Sequence, residues 1–148
     1  MEYVISELSA VEQATAVIGE PTTWRAFPSL WPALLAEVWA AARGSDGRIV
    51  PGRNVMLYED DVPNVQVGVE VAAPFTRIGR VVPGLLPAGR VAATTHRGSY
   101  GRLGDAHEAV IAWCDVRGLE RAGPRWEIYG HAVESEADQE VEIYWLLR

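Results

Sequence analysis

The sequence predicts an α+β fold in which one βαββ unit occurs twice, related by a pseudo-twofold axis. Two observations predict this fold: a pattern of strand, helix and hairpin occurs twice, and residues match between the two copies. At 148 residues the chain suits one domain that buries roughly two-thirds of its unfolded surface. We expect antiparallel sheets with two helices on one face and a ligand cleft on the other face.

The first unit spans about residues 13–75. A strand at Gln13–Glu20 precedes a helix, because apolar residues from Trp31 to Ala42 recur with helical spacing and Gly44 ends the pattern. The β-rich runs Asn54–Glu59 and Val65–Val71 flank a turn-forming sequence, which predicts a hairpin.

The second unit spans about residues 86–148 and repeats this order. Its predicted elements are a strand at Gly89–His96, a helix at Leu103–Arg117 and hairpin strands at Arg125–His131 and Gln139–Leu147. Short apolar runs at residues 3–5 and 78–82 are candidates for further strands.

Matched positions support a duplication. The pairs are Trp39 with Trp113, Gly44 with Gly118, Tyr58 with Tyr129 and Val69 with Ile143. Trp39 and Trp113 fall on the predicted buried faces of the helices, so both are expected in the core. The copies differ where Glu127 and Glu142 of the second match Met56 and Gly68 of the first, an asymmetry that suits a binding site.

Composition limits the function classes. Thirteen basic residues, all Arg, against twenty acidic residues give a net charge of −7, so direct contact with nucleic acid is not expected and a cationic ligand suits the charge. The absence of Lys excludes Schiff-base chemistry. The single Cys and the acidic N-terminal segment without a signal-peptide pattern favour a cytoplasmic protein, and no apolar run is long enough to span a membrane.

Glu127 is the main candidate for a functional residue. Alternation in the strand around it places Glu127 and Tyr129 on one face and Trp126 and Ile128 on the other. A carboxylate among Trp126, Tyr129 and Tyr144 in a partly dry cleft can pair with a cation or move a proton. A solvated strand face is the usual alternative for one Glu.

Further candidates surround Glu127 in the predicted cleft. Trp24, in the loop before the first helix, is a candidate stacking lid, and Trp145 suits either core or cleft. Glu142 suits a cleft position or a cross-strand hydrogen bond equally well. The full predicted set of ligand-binding residues is Glu127, Tyr129, Tyr100, Tyr144, Glu142, Trp24, Met56, Tyr58 and Trp145.

The sequence predicts no metal and no cofactor. His96, His107 and His131 lack a close ligand spacing, and neither a Cys nor a second acid completes a tetrahedral set. These histidines are expected to be structural or to face a helix.

Several motifs together resemble the GyrI-like small-molecule-binding family, which is also described as the effector-binding domain of AraC-type and MerR-type multidrug regulators. They are Leu86–Ala92, His96–Tyr100, Ala106–Ala109 with Trp113, Gly123–Gly130 and Val141–Tyr144. The resemblance, which runs from about Thr15 onward, implies the SHS2 type of duplicated βαββ fold and a cleft between the repeats. It also implies affinity for bulky cationic or aromatic compounds.

The resemblance implies residue roles as well. Glu127 corresponds to the central pocket carboxylate, and Tyr100 and Tyr144 correspond to pocket-lining aromatics. The family's proline after the last strand's aromatic pair is absent, since Trp145 is followed by two leucines. No helix-turn-helix precedes the domain, so we expect a standalone bacterial copy rather than a transcription factor, with no partner regulator identified.

Two functions fit this site. The first is binding of bulky aromatic or cationic, drug-like molecules for sequestration or sensing. The second is a cofactor-free hydrolase that opens cyclopropanoid DNA-alkylating natural products, with Glu127 as the catalytic residue. Inhibition of DNA gyrase is a weaker third alternative, which rests on the family name.

Overall fold

The computed structural model describes residues 2–148, and it contains one eight-stranded antiparallel sheet with two α-helices. In chain order the elements are β1 (Ser6–Ala10), β2 (Gln13–Pro21), α1 (Phe27–Arg43), β3 (Pro51–Tyr58), β4 (Asn64–Val71), β5 (Val82–Leu86), β6 (Gly89–Arg97), α2 (Leu103–Arg117), β7 (Arg121–Tyr129) and β8 (Glu140–Leu147). Short 3₁₀ turns lie at Tyr100–Arg102 and Glu136–Asp138. The predicted α+β class is confirmed.

The βαββ succession occurs twice, and the strand order relates the two copies. Across the sheet the order is β1-β6-β8-β7-β3-β4-β2-β5, so corresponding strands lie at equal distances from the β3–β7 pair at the centre. This arrangement is the predicted pseudo-twofold symmetry, although the strands form one sheet. At the centre Met56 is the cross-strand neighbour of Glu127, the residue that it matches in the other copy.

Both helices pack one apolar stripe against the same face of the sheet. Leu34, Val38 and Ala42 are buried on α1, and Ala106, Val110 and Cys114 are buried on α2, at the spacing of one helical face. Gly118 ends α2 in the left-handed conformation, at φ 65°.

Trp39 and Trp113 are not core residues, contrary to the prediction. Both are only partly buried, because they lie at the edge of each helix's buried stripe. The Trp39 indole Nε1 donates a hydrogen bond to Asn54 Oδ1 at 2.8 Å. The Trp113 ring lies under the Arg117 guanidinium, 4.1 Å from its centroid. Each ring therefore packs at the edge of the core and not in its centre.

The sheet curls strongly. Only Pro87 and Ala88 join β5 to β6, yet these strands lie six positions apart in the sheet. In a flat sheet they would be about 29 Å apart, whereas the link from Leu86 to Gly89 spans at most about 11 Å. The two ends of the sheet must therefore approach each other.

Because the sheet curls, its face away from the helices folds onto itself. That face carries its own buried cluster, which includes Val17, Val55, Leu57, Val91, Trp126 and Ile128. The predicted position of the cleft, opposite the helices, is therefore wrong. The space for a ligand lies on the helix side, between α1 and α2.

Two short strands differ from their predicted positions. Strand β1 lies at Ser6–Ala10, while Tyr3 and Ile5 pack against the apolar cluster beneath α2. Strand β5 lies at Val82–Leu86, while Ile78 forms an isolated bridge with Val81 and packs beside α1. Among residues 2–148, neither helix is long and apolar enough to cross a membrane.

Candidate functional site

A cavity of about 760 Å³ lies between the two helices, over the central strands of the sheet. Its walls are mainly apolar and aromatic. They include Trp24, Phe27, Trp31 and Leu35 from the α1 side, Tyr100, Leu103, His107 and Ile111 from the α2 side, and Met56, Tyr58, Arg125, Glu127, Tyr129 and Trp145 from the sheet. A cavity of this size accommodates a drug-sized molecule.

Glu127 lies at the floor of this cavity and is 4% exposed. Its Oε1 accepts hydrogen bonds from the hydroxyls of Tyr58 at 2.9 Å and Tyr129 at 2.7 Å. Its Oε2 contacts His107 Nε2 at 2.7 Å. The carboxylate is therefore held from three sides, by groups that belong to β3, β7 and α2.

The hydrogen bonds of His107 define its tautomer. The Trp145 indole N–H, which can only donate, points at His107 Nδ1 at 3.0 Å. Nδ1 must therefore accept, so the ring proton is on Nε2, which donates to Glu127. With its ring hydrogen on Nε2, this tautomer of His107 is an uncharged donor to the carboxylate.

The two phenols on Glu127 remain protonated. Burial raises the pKa of Tyr58 and of Tyr129 well above the ordinary value, and the negative charge of Glu127 raises each pKa further. A protonated phenol can donate its hydrogen bond to the carboxylate. Glu127 thus accepts from three neutral donors.

Aromatic contacts build the walls around this centre. The Trp24 and Phe27 rings each lie 5.4 Å from the Tyr58 ring, measured between centroids. Tyr100 meets Tyr129 edge to face, also at 5.4 Å. Trp24 itself is 48% exposed, which places it at the mouth of the cavity.

The family follows from the sequence comparison. Residues 14–148 match the GyrI-like small molecule binding domain. The chain belongs to the GyrI-like family. Small-molecule binding is therefore the function class that this match supports.

Solved structures share the GyrI-like fold. The crystal structure of the EcmrR C-terminal domain matches with a TM-score of 0.82 and 16% identity, over 100% of this chain and 99% of that chain. The structure of SAV2435 bound to tetraphenylphosphonium matches with a TM-score of 0.69 and 13% identity, over 100% of this chain and 94% of that chain. A hydrolase from Listeria innocua matches with a TM-score of 0.61 and 10% identity, over 97% of this chain and 91% of that chain. The sequence comparison with curated proteins gives no match.

Most of the predicted site residues of the GyrI-like domain lie together. Tyr100, Trp24, Met56, Tyr58, Tyr129 and Trp145 line the cavity that contains Glu127. Their roles toward a ligand stay predictions.

Glu142 and Tyr144 do not reach this cleft, contrary to the prediction. Both alternate with the cavity-facing residues of β8 and therefore point to the opposite face of the sheet. Tyr144 stacks on Trp126 with ring centroids 5.6 Å apart, so Trp126 also faces away from the cleft. Glu142 accepts from Arg53 Nη1 at 2.8 Å and from the Tyr144 hydroxyl at 2.5 Å.

Packing explains why the first unit has Gly68 where the second has Glu142. A Cβ atom on Gly68 would lie 1.9 Å from the backbone oxygen of Ala16, so β2 and β4 leave no room for a side chain. The asymmetry at this position is therefore structural. At the other position, where Met56 matches Glu127, both side chains line the cleft, so this difference changes the cleft itself.

The sequence reasoning missed two polar residues of the cleft, His107 and Arg125. His107 was expected to be structural, but Leu103, His107 and Ile111 follow each other one turn apart and all line the cavity. That spacing, next to the buried stripe of α2, was the available signal. Arg125 was recognisable only through its alternation with Glu127 in β7.

The other two histidines differ in their surroundings, since His131 is exposed in the loop after β7 whereas His96 lies in the core. His96 is buried, its Nδ1 lies 2.8 Å from the Tyr3 hydroxyl, and its Nε2 lies 2.7 Å from the Ser99 carbonyl oxygen. Since a carbonyl only accepts, Nε2 donates and Nδ1 accepts from Tyr3. His96 is thus a structural residue, as predicted. Within residues 2–148, no cluster of three or more His, Cys, Asp or Glu side chains is arranged to hold a metal ion.

Proposed function

We propose that this GyrI-like domain binds bulky aromatic cations in the cleft between α1 and α2, for sequestration or sensing. The observation that carries the proposal is the buried carboxylate of Glu127, whose three hydrogen-bond donors are all neutral. Among the described residues, no Arg side chain lies within ion-pair distance of Glu127, and His107 donates to it in the uncharged tautomer that accepts from the Trp145 indole.

A buried charge without a counter-charge is unfavourable, because burial removes its hydration. Neutral donors recover part of that loss. A cation in the cavity recovers more, and the surrounding Trp and Tyr faces attract the same cation. The cleft therefore offers charge and aromatic surface to one type of ligand.

One structural neighbour supports this assignment by analogy. SAV2435, which shares the fold, was solved with tetraphenylphosphonium, a cation covered by four phenyl groups. A ligand of this type matches a cavity whose walls are mostly aromatic and whose floor holds one carboxylate.

Calorimetric titration with two matched ligands tests the proposal. Tetraphenylphosphonium is compared with triphenylphosphine oxide, which also presents phenyl groups but is neutral. We expect the cation to bind at one site at least about tenfold more tightly, because only the cation neutralises Glu127. Equal affinity for the two compounds would refute the role of charge.

A second candidate function is the cofactor-free hydrolase that opens cyclopropanoid alkylating compounds. The His107–Glu127 contact of 2.7 Å, inside an aromatic cavity, is a potential acid–base pair for adding water to a strained ring. The raised pKa of Tyr58 and Tyr129 disfavours these phenols as proton donors to a substrate carbonyl. The raised pKa of these phenols therefore weighs against the hydrolase.

Mass spectrometry separates the two functions. The protein is incubated with a cyclopropanoid alkylator, and ring-opened product is followed over time. A rate equal to that with buffer or with Glu127→Gln leaves binding as the function for that substrate class, and a faster rate establishes the hydrolase.

A further inference from the structure

A second charged side chain, Arg125, lies in the same cleft as Glu127. The two residues project from the same face of β7, two positions apart, so about 7 Å separates them along the strand. Arg125 is 6% exposed, and its guanidinium carbon lies 5.5 Å from the Trp24 ring centroid and 4.9 Å from that of Trp145. A deeply buried Arg needs a partner for its charge.

The partner of Arg125 is weakly held. Nη2 pairs with Asp61 Oδ1 at 2.8 Å, and Nη1 donates to the backbone oxygen of Gly123 at 3.0 Å. The Asp61 side chain is 92% exposed, in the turn between β3 and β4. An ion pair with so exposed a carboxylate contributes little to stability, so another anion can replace Asp61 easily.

We propose that Arg125 forms an anion subsite of the cleft, which makes the chain selective for zwitterionic aromatic compounds. The cationic part of such a ligand faces Glu127, and its carboxylate replaces Asp61 on Arg125. This inference rests on the proposed cation-binding function of the same cleft, to which it adds the second charge of the ligand.

Three features suit Arg125 to this role. The planar guanidinium presents paired N–H donors that match a carboxylate. The rings of Trp24 and Trp145 fix the guanidinium before a ligand arrives, which lowers the entropy lost on binding. Arg125 also borders a second cavity of about 590 Å³, which gives the acidic group of a ligand room beside the main cleft.

Rhodamine B and its methyl ester provide the matched probes. They share one cationic aromatic ring system, but only rhodamine B carries a free carboxylate. Fluorescence titration measures both affinities for the parent chain, Arg125→Gln, Asp61→Asn and Glu127→Gln. We expect the parent chain to bind rhodamine B about tenfold more tightly than the ester. The dye carboxylate gains a charge-assisted contact with Arg125, and the loss of the weak Asp61 pair is subtracted from that gain.

The variants distinguish this inference from the proposed function. Arg125→Gln should reduce the preference for rhodamine B to about twofold or less, whereas Glu127→Gln should weaken both dyes alike. Asp61→Asn removes the competing carboxylate from an exposed turn, so it should strengthen rhodamine B about threefold and leave the ester unchanged.

Each other outcome has a definite meaning. An unchanged preference in Arg125→Gln, or weaker rhodamine B binding in Asp61→Asn, would overturn the anion subsite even if both dyes bind through Glu127. If Arg125→Gln does not fold, the Asp61→Asn result decides alone. Failure of both dyes to bind the parent chain would refute the cation-binding function, and the subsite with it.

Discussion

Replacing Glu127 with Gln removes the buried charge and keeps the shape of the side chain. The amide oxygen can accept from His107, and the amide NH₂ can donate to the hydroxyls of Tyr58 and Tyr129, which accept as well as donate. We therefore expect the variant to fold, with a free energy of unfolding within about 1 kcal/mol of the parent, since loss of a buried charge offsets weaker hydrogen bonds.

The effect on affinity follows from the charge. A ligand cation roughly 6 Å from the carboxylate gains about 3 kcal/mol at an effective dielectric constant of about 20. The hydroxyl and imidazole donors around Glu127 screen part of this energy. We expect Glu127→Gln to weaken tetraphenylphosphonium binding by about 1–3 kcal/mol, or about 5- to 150-fold, and to leave triphenylphosphine oxide unaffected.

Calorimetry with thermal melts measures both quantities, and two controls are available. Glu142→Gln changes the same residue type on the neighbouring strand, on the opposite face of the sheet. Glu134→Gln lies in the exposed loop before β8. Neither should change affinity by more than about twofold. Equal affinity of Glu127→Gln and the parent chain for the cation would refute a role of the Glu127 charge in binding.

Three further predictions concern the walls of the cleft and the phenols. Trp24→Ala should change the free energy of unfolding by about 1 kcal/mol or less, because Trp24 is 48% exposed, yet weaken cation binding by about 1 kcal/mol; the reverse ordering in melts and titrations would contradict its position at the mouth. Trp39→Ala should lower the free energy of unfolding by about 2–3 kcal/mol, below the 3–5 of a fully buried ring, and leave affinity unchanged, so denaturant unfolding with a loss of about 5 kcal/mol would restore a core position. Because the folded pKa of Tyr58 is raised, the unfolded state loses its proton first; this contribution to stability is present below about pH 10 and is lost above it, so melts of Tyr58→Phe should decline less steeply with alkaline pH, and an identical decline would show that the phenol is not buried.

Local pattern was sufficient for most of the fold. Alternation in β7 placed Glu127 and Tyr129 together, and helical spacing placed α2 at Leu103–Arg117. Local pattern could not predict the curl of the sheet, because the curl depends on which strands pair. It becomes necessary only when the short Pro87–Ala88 link has to join two strands that lie six positions apart in the strand order.

The same limit applies to the site. Glu142 and Tyr144 are as acidic and aromatic as their neighbours, but the register of β8 turns both to the far face. His107 comes from a helix, and its contact with Glu127 depends on how α2 sits over the sheet. The packing of helices and strands against each other therefore determines which of these residues reach the cleft, and composition and spacing do not.

A crystal structure of the complex with tetraphenylphosphonium tests the central claim most directly. We expect the cation in the cavity between α1 and α2, with its phenyl groups against Trp24, Tyr58 and Tyr100 and its charge toward the Glu127 carboxylate. A cation bound on the opposite face of the sheet, beside Glu142 and Tyr144, would contradict it.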